Sequence, residues 1–118
     1  ADTIEFYGGG GGREDHFIGN LHLLYAACQK GVHAVMVTNH ARIFAADGLV
    51  ELPGLKGKTG SIGPFGGEVH IMESGGWYYP LPEKFVYGST LGISNVVTSD
   101  EAFFRAKGCV LVFVDKEV

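Results

Sequence analysis

Positive charge is scarce in this sequence. Its 118 residues include nine Lys and Arg against thirteen Asp and Glu, so the formal net charge is −4. A protein that mainly binds nucleic acid or an anionic membrane needs a basic surface, so we expect neither partner. Long apolar runs are also missing: no stretch approaches the ~20 residues of a membrane-spanning helix, and no signal-peptide pattern opens the chain.

Cysteine is rarer still. Cys28 and Cys109 are the only two, and each lies within an apolar segment. Two isolated cysteines do not make a disulfide framework, so we expect both to be small core residues of a cytoplasmic protein.

Glycine, by contrast, is abundant. The chain has 19 glycines, roughly double the average usage of ~7%. Most are dispersed, which predicts many tight turns between short strands. The exception is the run from Gly8 to Gly12, which leads directly into Arg13.

The first 40 residues have the pattern of a β-α-β unit. The apolar run Thr3 to Tyr7 predicts a buried strand, and the helical spacing of apolar residues from Phe17 to Cys28 predicts a helix. A second β-forming run extends from Val32 to Thr38. One such unit cannot cover both faces of a parallel sheet, so we expect residues 1–40 to be the C-terminal piece of a larger α/β domain.

The pattern changes after Asn39. Short apolar or alternating segments follow, separated by turn residues at spacings of ~8–12 and without a helical period. This predicts an all-β sandwich, jelly-roll-like, or a barrel over residues 41–118, with a domain boundary near residue 40.

The glycine run permits two interpretations. Glycines between a strand and a helix can turn main-chain N–H groups towards phosphate oxygens, with Arg13 as a further donor and Asp15 as a candidate Mg²⁺ ligand. The alternative is a flexible loop with a surface ion pair. Arg13, His16 and Asn20 share one stripe of the predicted helix, which could be part of a site or only a solvated face.

A second group of candidates lies in the β-rich part. In extended chain Trp77 and Tyr79 would face one way and Tyr78 the other, and an exposed aromatic ring at a turn can stack a flat heterocycle. Core packing is the alternative. Ser94 and Asn95 could close a turn or could hydrogen-bond the polar edge of such a ring.

Several blocks together resemble thiamine pyrophosphokinase: "GGREDHFIGNLHLL", "GWYYPL", "YGSTLGISNVVTSDEAFF" and "GCVLVFV". Their order and separation match, and the resemblance covers essentially the whole chain. It implies transfer of pyrophosphate from ATP to thiamine with Mg²⁺, giving thiamine diphosphate and AMP. It also implies a homodimer in which the α/β catalytic domain of one subunit meets the β-sandwich of the other.

The resemblance also implies roles for individual residues. Gly11, Gly12, Arg13, His16 and Asn20 would bind ATP through its phosphates. Arg13 and Asp15 would be catalytic, with Asp15 also a Mg²⁺ ligand. Tyr79, Ser94 and Asn95 would bind thiamine.

The chain also departs from that family. The acidic blocks that supply most of the Mg²⁺ ligands precede the matching region, so we expect the 118-residue chain alone to be inactive. Two alternatives stay open: a non-catalytic ligand-binding β-sandwich, and a related pyrophosphokinase that acts on another heterocyclic alcohol.

Overall fold

A computed structural model of the chain describes residues 3–7, 14–86 and 94–115. These ranges contain one helix and eight strands. In chain order they are β1 (Thr3–Tyr7), α1 (Glu14–Gln29), β2 (His33–Val37), β3 (Ala41–Pro53), β4 (Thr59–Pro64), β5 (Val69–Gly75), β6 (Lys84–Phe85), β7 (Asn95–Val96) and β8 (Glu101–Asp115).

The predicted β-α-β pattern is confirmed, but the prediction that β1 is buried is wrong for its described apolar side chains, because Ile4 is 52% and Tyr7 is 71% exposed. β1 and β2 are parallel neighbours, in register from Thr3 opposite His33 to Tyr7 opposite Val37, and α1 connects them. Leu21 and Leu24 of α1 are buried against the sheet, as the helical spacing of apolar residues requires. The helix is followed by Gly31 at φ 74°, a left-handed conformation that suits a glycine just beyond a helix end.

One sheet continues through the rest of the chain. Its main strand order is β1-β2-β3-β8-β4-β7, and β5 pairs with both β8 and β6. No helix follows Gln29 within the described residues, as the short β-forming segments predict. The fold is therefore mixed and mostly sheet. The proposed boundary at residue 40 lies in the turn between β2 and β3, which are antiparallel neighbours, and the division into two domains stays a prediction.

The long strand β8 carries apolar side chains on both faces. Val110, Val112 and Val114 belong to a core enclosed by β3, β4, β5 and the segment around Trp77. Cys109 and Leu111 point to the other face, where a second core forms against α1 and β2. The burial of residues 109–112 on both faces explains why this stretch is continuously apolar.

The two cysteines meet in the core beneath α1. Cys109 is buried and Cys28 is partly buried, and neither forms a disulfide. Burial raises the pKa of Cys28, and it raises the pKa of Cys109 to about 12. The prediction of core cysteines is thus confirmed, with Cys28 at the margin. Within the described ranges, no helix has the length and apolar character needed to cross a membrane.

Candidate functional site

A pair of exposed tyrosines marks the candidate thiamine-binding surface. Tyr78 is 65% exposed and Tyr79 is 58% exposed, and their rings meet edge to face with centroids 4.8 Å apart. Trp77 is buried instead, and its Nε1–H donates a hydrogen bond to the Phe103 carbonyl over 3.2 Å. The prediction that Trp77 and Tyr79 share one environment is wrong, because the extended conformation ends after Trp77. Two exposed rings on one anchored turn are suited to stack a flat ligand.

Two glycines bring this segment against β8. Gly76 has φ 85°, and a Cβ atom placed on it would lie 2.7 Å from the Ala102 Cα. A Cβ on Gly75 would approach the Phe103 ring to 3.1 Å. The main chain can therefore come close enough to β8 for Trp77 to enter the core only because both side chains are missing.

Asn95 lies beneath the tyrosines and is almost completely buried, with 2% of its surface exposed. Its side-chain Oδ1 accepts hydrogen bonds from the Tyr79 N–H at 3.0 Å and from the Val96 N–H at 2.8 Å. Its Nδ2 donates to the Tyr79 carbonyl at 2.7 Å. The structure thus joins two residues that the sequence separates, and that the family resemblance assigns to one ligand.

Ser94 precedes Asn95 in a strained conformation. Its φ of 59° is the left-handed value that non-glycine residues rarely adopt, and such residues are common at binding sites. Its N–H donates to the Ser61 Oγ on β4 over 2.8 Å. Ser61 is not among the residues that the sequence predicts for the site, because a serine within a short β-forming segment carries no signal of its own.

The candidate phosphate site is described only in part. Gly11, Gly12 and Arg13 lie outside the described residues. Asp15 and His16 lie in the first turn of α1, but their side chains are outside the description. Asn20 lies on α1 and is partly buried. As predicted, the glycine run connects the C-terminal end of a parallel strand to the N-terminus of a helix.

The end of β1, which precedes the glycine run, and Asn95 lie at the same end of the sheet. A row of cross-strand neighbours connects Tyr7, Val37, Arg42, Val114, Gly60 and Asn95. The glycine run follows Tyr7 at one side of this row, and Asn95 ends the row at the other. With about 4.8 Å between neighbouring strands, the five steps amount to roughly 24 Å along the sheet.

A separate cavity of about 570 Å³ lies against β2 and β3 and includes Cys28 and Leu55 in its lining. Among the described residues predicted to bind ATP or thiamine, Asn20, Tyr79, Ser94 and Asn95, none lines this cavity. Among the described residues, no group of three or more His, Cys, Asp or Glu side chains could hold a metal ion. Asp15 therefore stays a predicted Mg²⁺ ligand that the described side chains do not test.

Comparison with known proteins gives an independent view of the chain. Thiamine pyrophosphokinase of Bacillus subtilis is 34% identical over 116 residues, which cover 94% of this chain and 54% of the relative. The crystal structure of thiamine pyrophosphokinase from Bacillus subtilis superimposes with a TM-score of 0.86 at 28% identity, covering 100% of this chain and 57% of that one.

A more distant structure has the same fold. Thiamin pyrophosphokinase from Candida albicans superimposes with a TM-score of 0.81 at 17% identity, over 98% of this chain and 44% of that chain. No family model matches the chain. The chain spans about half the length of these relatives. The similarity to thiamine pyrophosphokinase that the sequence motifs predict is therefore confirmed, in sequence and in fold.

Proposed function

We propose that this chain is part of a thiamine pyrophosphokinase and supplies a thiamine-binding surface together with a loop that holds the phosphates of ATP. The 34% identity to a thiamine pyrophosphokinase over 94% of the chain carries the proposal. The hydrogen bonds that join Tyr79 to Asn95 support it, because they unite residues assigned to the same ligand.

In the proposed reaction the hydroxyl oxygen of thiamine attacks the β-phosphorus of ATP in line. A new P–O bond forms, the bond from that phosphorus to the oxygen bridging the α-phosphate breaks, and AMP leaves while the hydroxyl proton is released. Main-chain N–H groups of Gly11 and Gly12, with the Arg13 guanidinium, would stabilise the negative charge. His16 and Asn20 would complete the ATP contacts.

Magnesium would add further neutralisation of phosphate charge when bound. Asp15 would be one oxygen ligand, and carboxylates outside this chain would provide the others. The 118 residues alone are accordingly proposed to bind ligand without completing the reaction.

The distance along the sheet between the two candidate regions is the reason to propose a site shared between two subunits. Reacting atoms must approach to about 3–3.5 Å, whereas roughly 24 Å of sheet separates the end of β1 from Asn95. A homodimer in which the phosphate loop of one subunit faces the tyrosine pair of the other would remove this separation. We propose that arrangement.

Calorimetric titration of the purified chain with thiamine tests the binding half of the proposal. Tyr79→Ala should weaken thiamine binding by ~5–30-fold, the equivalent of about 1–2 kcal/mol of lost stacking. Met72→Ala, which removes another exposed side chain on β5, is the matched control. No measurable thiamine binding, or equal losses in the two variants, would contradict the assignment.

A substrate panel tests the chemistry. The intact protein that contains this chain, supplied with ATP and Mg²⁺, should form AMP with thiamine and not with a hydroxymethyl pterin. Preference for the pterin would indicate a pyrophosphokinase for another heterocyclic alcohol. Thiamine binding without AMP formation would indicate a non-catalytic binding module.

A further inference from the structure

Main-chain groups take up most of the hydrogen-bonding capacity of the Asn95 carboxamide. An asparagine side chain can accept two hydrogen bonds at oxygen and donate two from nitrogen. Here Oδ1 accepts from the N–H groups of Tyr79 and Val96, and Nδ2 donates to the Tyr79 carbonyl. Counting partners among residues 3–7, 14–86 and 94–115, one N–H of the side chain remains, and only 2% of the residue is exposed.

These bonds end a short antiparallel ladder. The Thr98 N–H donates to the Gly76 carbonyl at 2.8 Å, and the Tyr78 N–H donates to the Val96 carbonyl at 2.9 Å. At Tyr79 the Asn95 side chain takes the place of a partner main chain, binding both the N–H and the carbonyl. The next residue is Pro80, which has no N–H with which to continue the ladder.

The consequence for Tyr79 is an unusual combination. Tyr79 is 58% exposed as a residue, while its N–H and carbonyl are hydrogen-bonded to the buried Asn95 side chain. A ring that must stack a ligand benefits from such an arrangement, because less conformational freedom is lost on binding.

We infer that Asn95 is a positioning residue, which sets the ring of Tyr79 for stacking by holding the Tyr79 main chain and does not itself contact the ligand. The role in thiamine binding rests on the proposed function. The hydrogen bonds between Asn95 and Tyr79 do not depend on that proposal, because the structure shows them directly.

Asn95→Asp is the sharpest perturbation. Aspartate has the same shape and can still accept from the Tyr79 N–H, but in its ionised form it cannot donate to the Tyr79 carbonyl. Asn39→Asp makes the same chemical change in the exposed turn between β2 and β3 and serves as the matched control. Thiamine affinity is measured by calorimetry for wild type, Asn95→Asp, Tyr79→Ala and the double variant.

If Asn95 acts through Tyr79, the two changes are not additive. We expect Asn95→Asp to weaken thiamine binding by ~10-fold, and the double variant to bind within ~3-fold of Tyr79→Ala. Losses that multiply in the double variant would mean that Asn95 contacts thiamine directly, and would overturn the inference.

Amide hydrogen exchange provides a readout that needs no ligand. The Tyr79 amide of the wild-type chain should be protected despite the exposed side chain, and should exchange at least ~10-fold faster in Asn95→Ala, which removes the Oδ1 acceptor, but not in Asn39→Ala. An unprotected Tyr79 amide in wild type refutes the inference even if an Asn95 variant fails to fold. Protection of that amide in a chain that binds no thiamine would instead reject the proposed function and leave the Asn95–Tyr79 connection standing.

Discussion

Substitution of Gly76 by alanine tests how the tyrosine pair is held. The residue has φ 85°, and an added Cβ would lie 2.7 Å from the Ala102 Cα and 2.8 Å from its Cβ. Positive φ costs an L-residue roughly 1–2 kcal/mol, and forcing extra atoms into a packed region costs a further ~1–3 kcal/mol. We therefore expect Gly76→Ala to lower the free energy of unfolding by roughly 2–5 kcal/mol.

Gly57 offers a matched control within the same chain. Its φ is 90°, but nothing lies within 4 Å of an added Cβ. Gly57→Ala should therefore cost only the conformational term of roughly 1–2 kcal/mol. Urea unfolding measures both variants, and with a slope of about 2 kcal/mol per molar urea the midpoints should differ by ~0.5–1.5 M.

Equal midpoints for the two variants would refute the reasoning, because the close contact between an added Cβ at position 76 and β8 would then not lower the free energy of unfolding. The same reasoning extends to binding. If the chain shifts to relieve the contact with Ala102, Tyr79 shifts with it, so Gly76→Ala should weaken thiamine binding while Gly57→Ala should not.

Three other outcomes are expected. Arg13→Ala in the intact protein should lower kcat/KM by ~100-fold or more, which corresponds to about 2.7 kcal/mol of lost transition-state stabilisation. Steady-state kinetics measures this loss, and Arg105→Ala on β8 is the control that should not show it. Ser61→Ala removes the acceptor of the Ser94 N–H bond and should lower the free energy of unfolding by ~0.5–1.5 kcal/mol. It should also weaken thiamine binding, measured by calorimetry, and unchanged affinity would remove Ser61 from the site. Because burial raises the pKa of Cys109 from 9.0 to about 12, the folded chain keeps a proton that the unfolded chain releases in this range. The contribution of the Cys109 thiol to stability is therefore complete below pH 9 and is lost as the pH rises towards 12, by up to about 1.4 kcal/mol per pH unit. Urea unfolding at several pH values should show that the free energy of unfolding falls less steeply with pH in Cys109→Ala than in wild type.

The strand and helix pattern could be read from the sequence because local signals agree with the fold. The apolar spacing in α1 and the short β-forming runs after Asn39 each reflect burial on one face of an element. The predicted helix, Phe17 to Cys28, lies within the observed Glu14–Gln29. Periodicity also indicates the parallel pairing of β1 with β2, since a strand-helix-strand connection normally gives it.

The site was less predictable, because its hydrogen bonds cross the fold. Tyr79 and Asn95 are 16 residues apart, and Ser61 and Ser94 are 33 apart. No local pattern shows that the Asn95 side chain would be buried, or that Ser61 would accept a main-chain hydrogen bond. Motif resemblance indicated Tyr79, Ser94 and Asn95 as a group, but only the fold distinguishes an exposed ring from the side chain beneath it.

The position of β8 has a consequence for how the molecule could come apart. This strand is bonded to β3 along almost its full length and to β5 and β4 in turn on its other edge, and it carries side chains into both apolar cores. If β8 separated from the sheet, α1 and the turn that carries Tyr78 and Tyr79 would lose their packing partners together. Heat or denaturant should consequently dismantle the helical layer and the ligand surface in one event, leaving no intermediate in which either survives by itself.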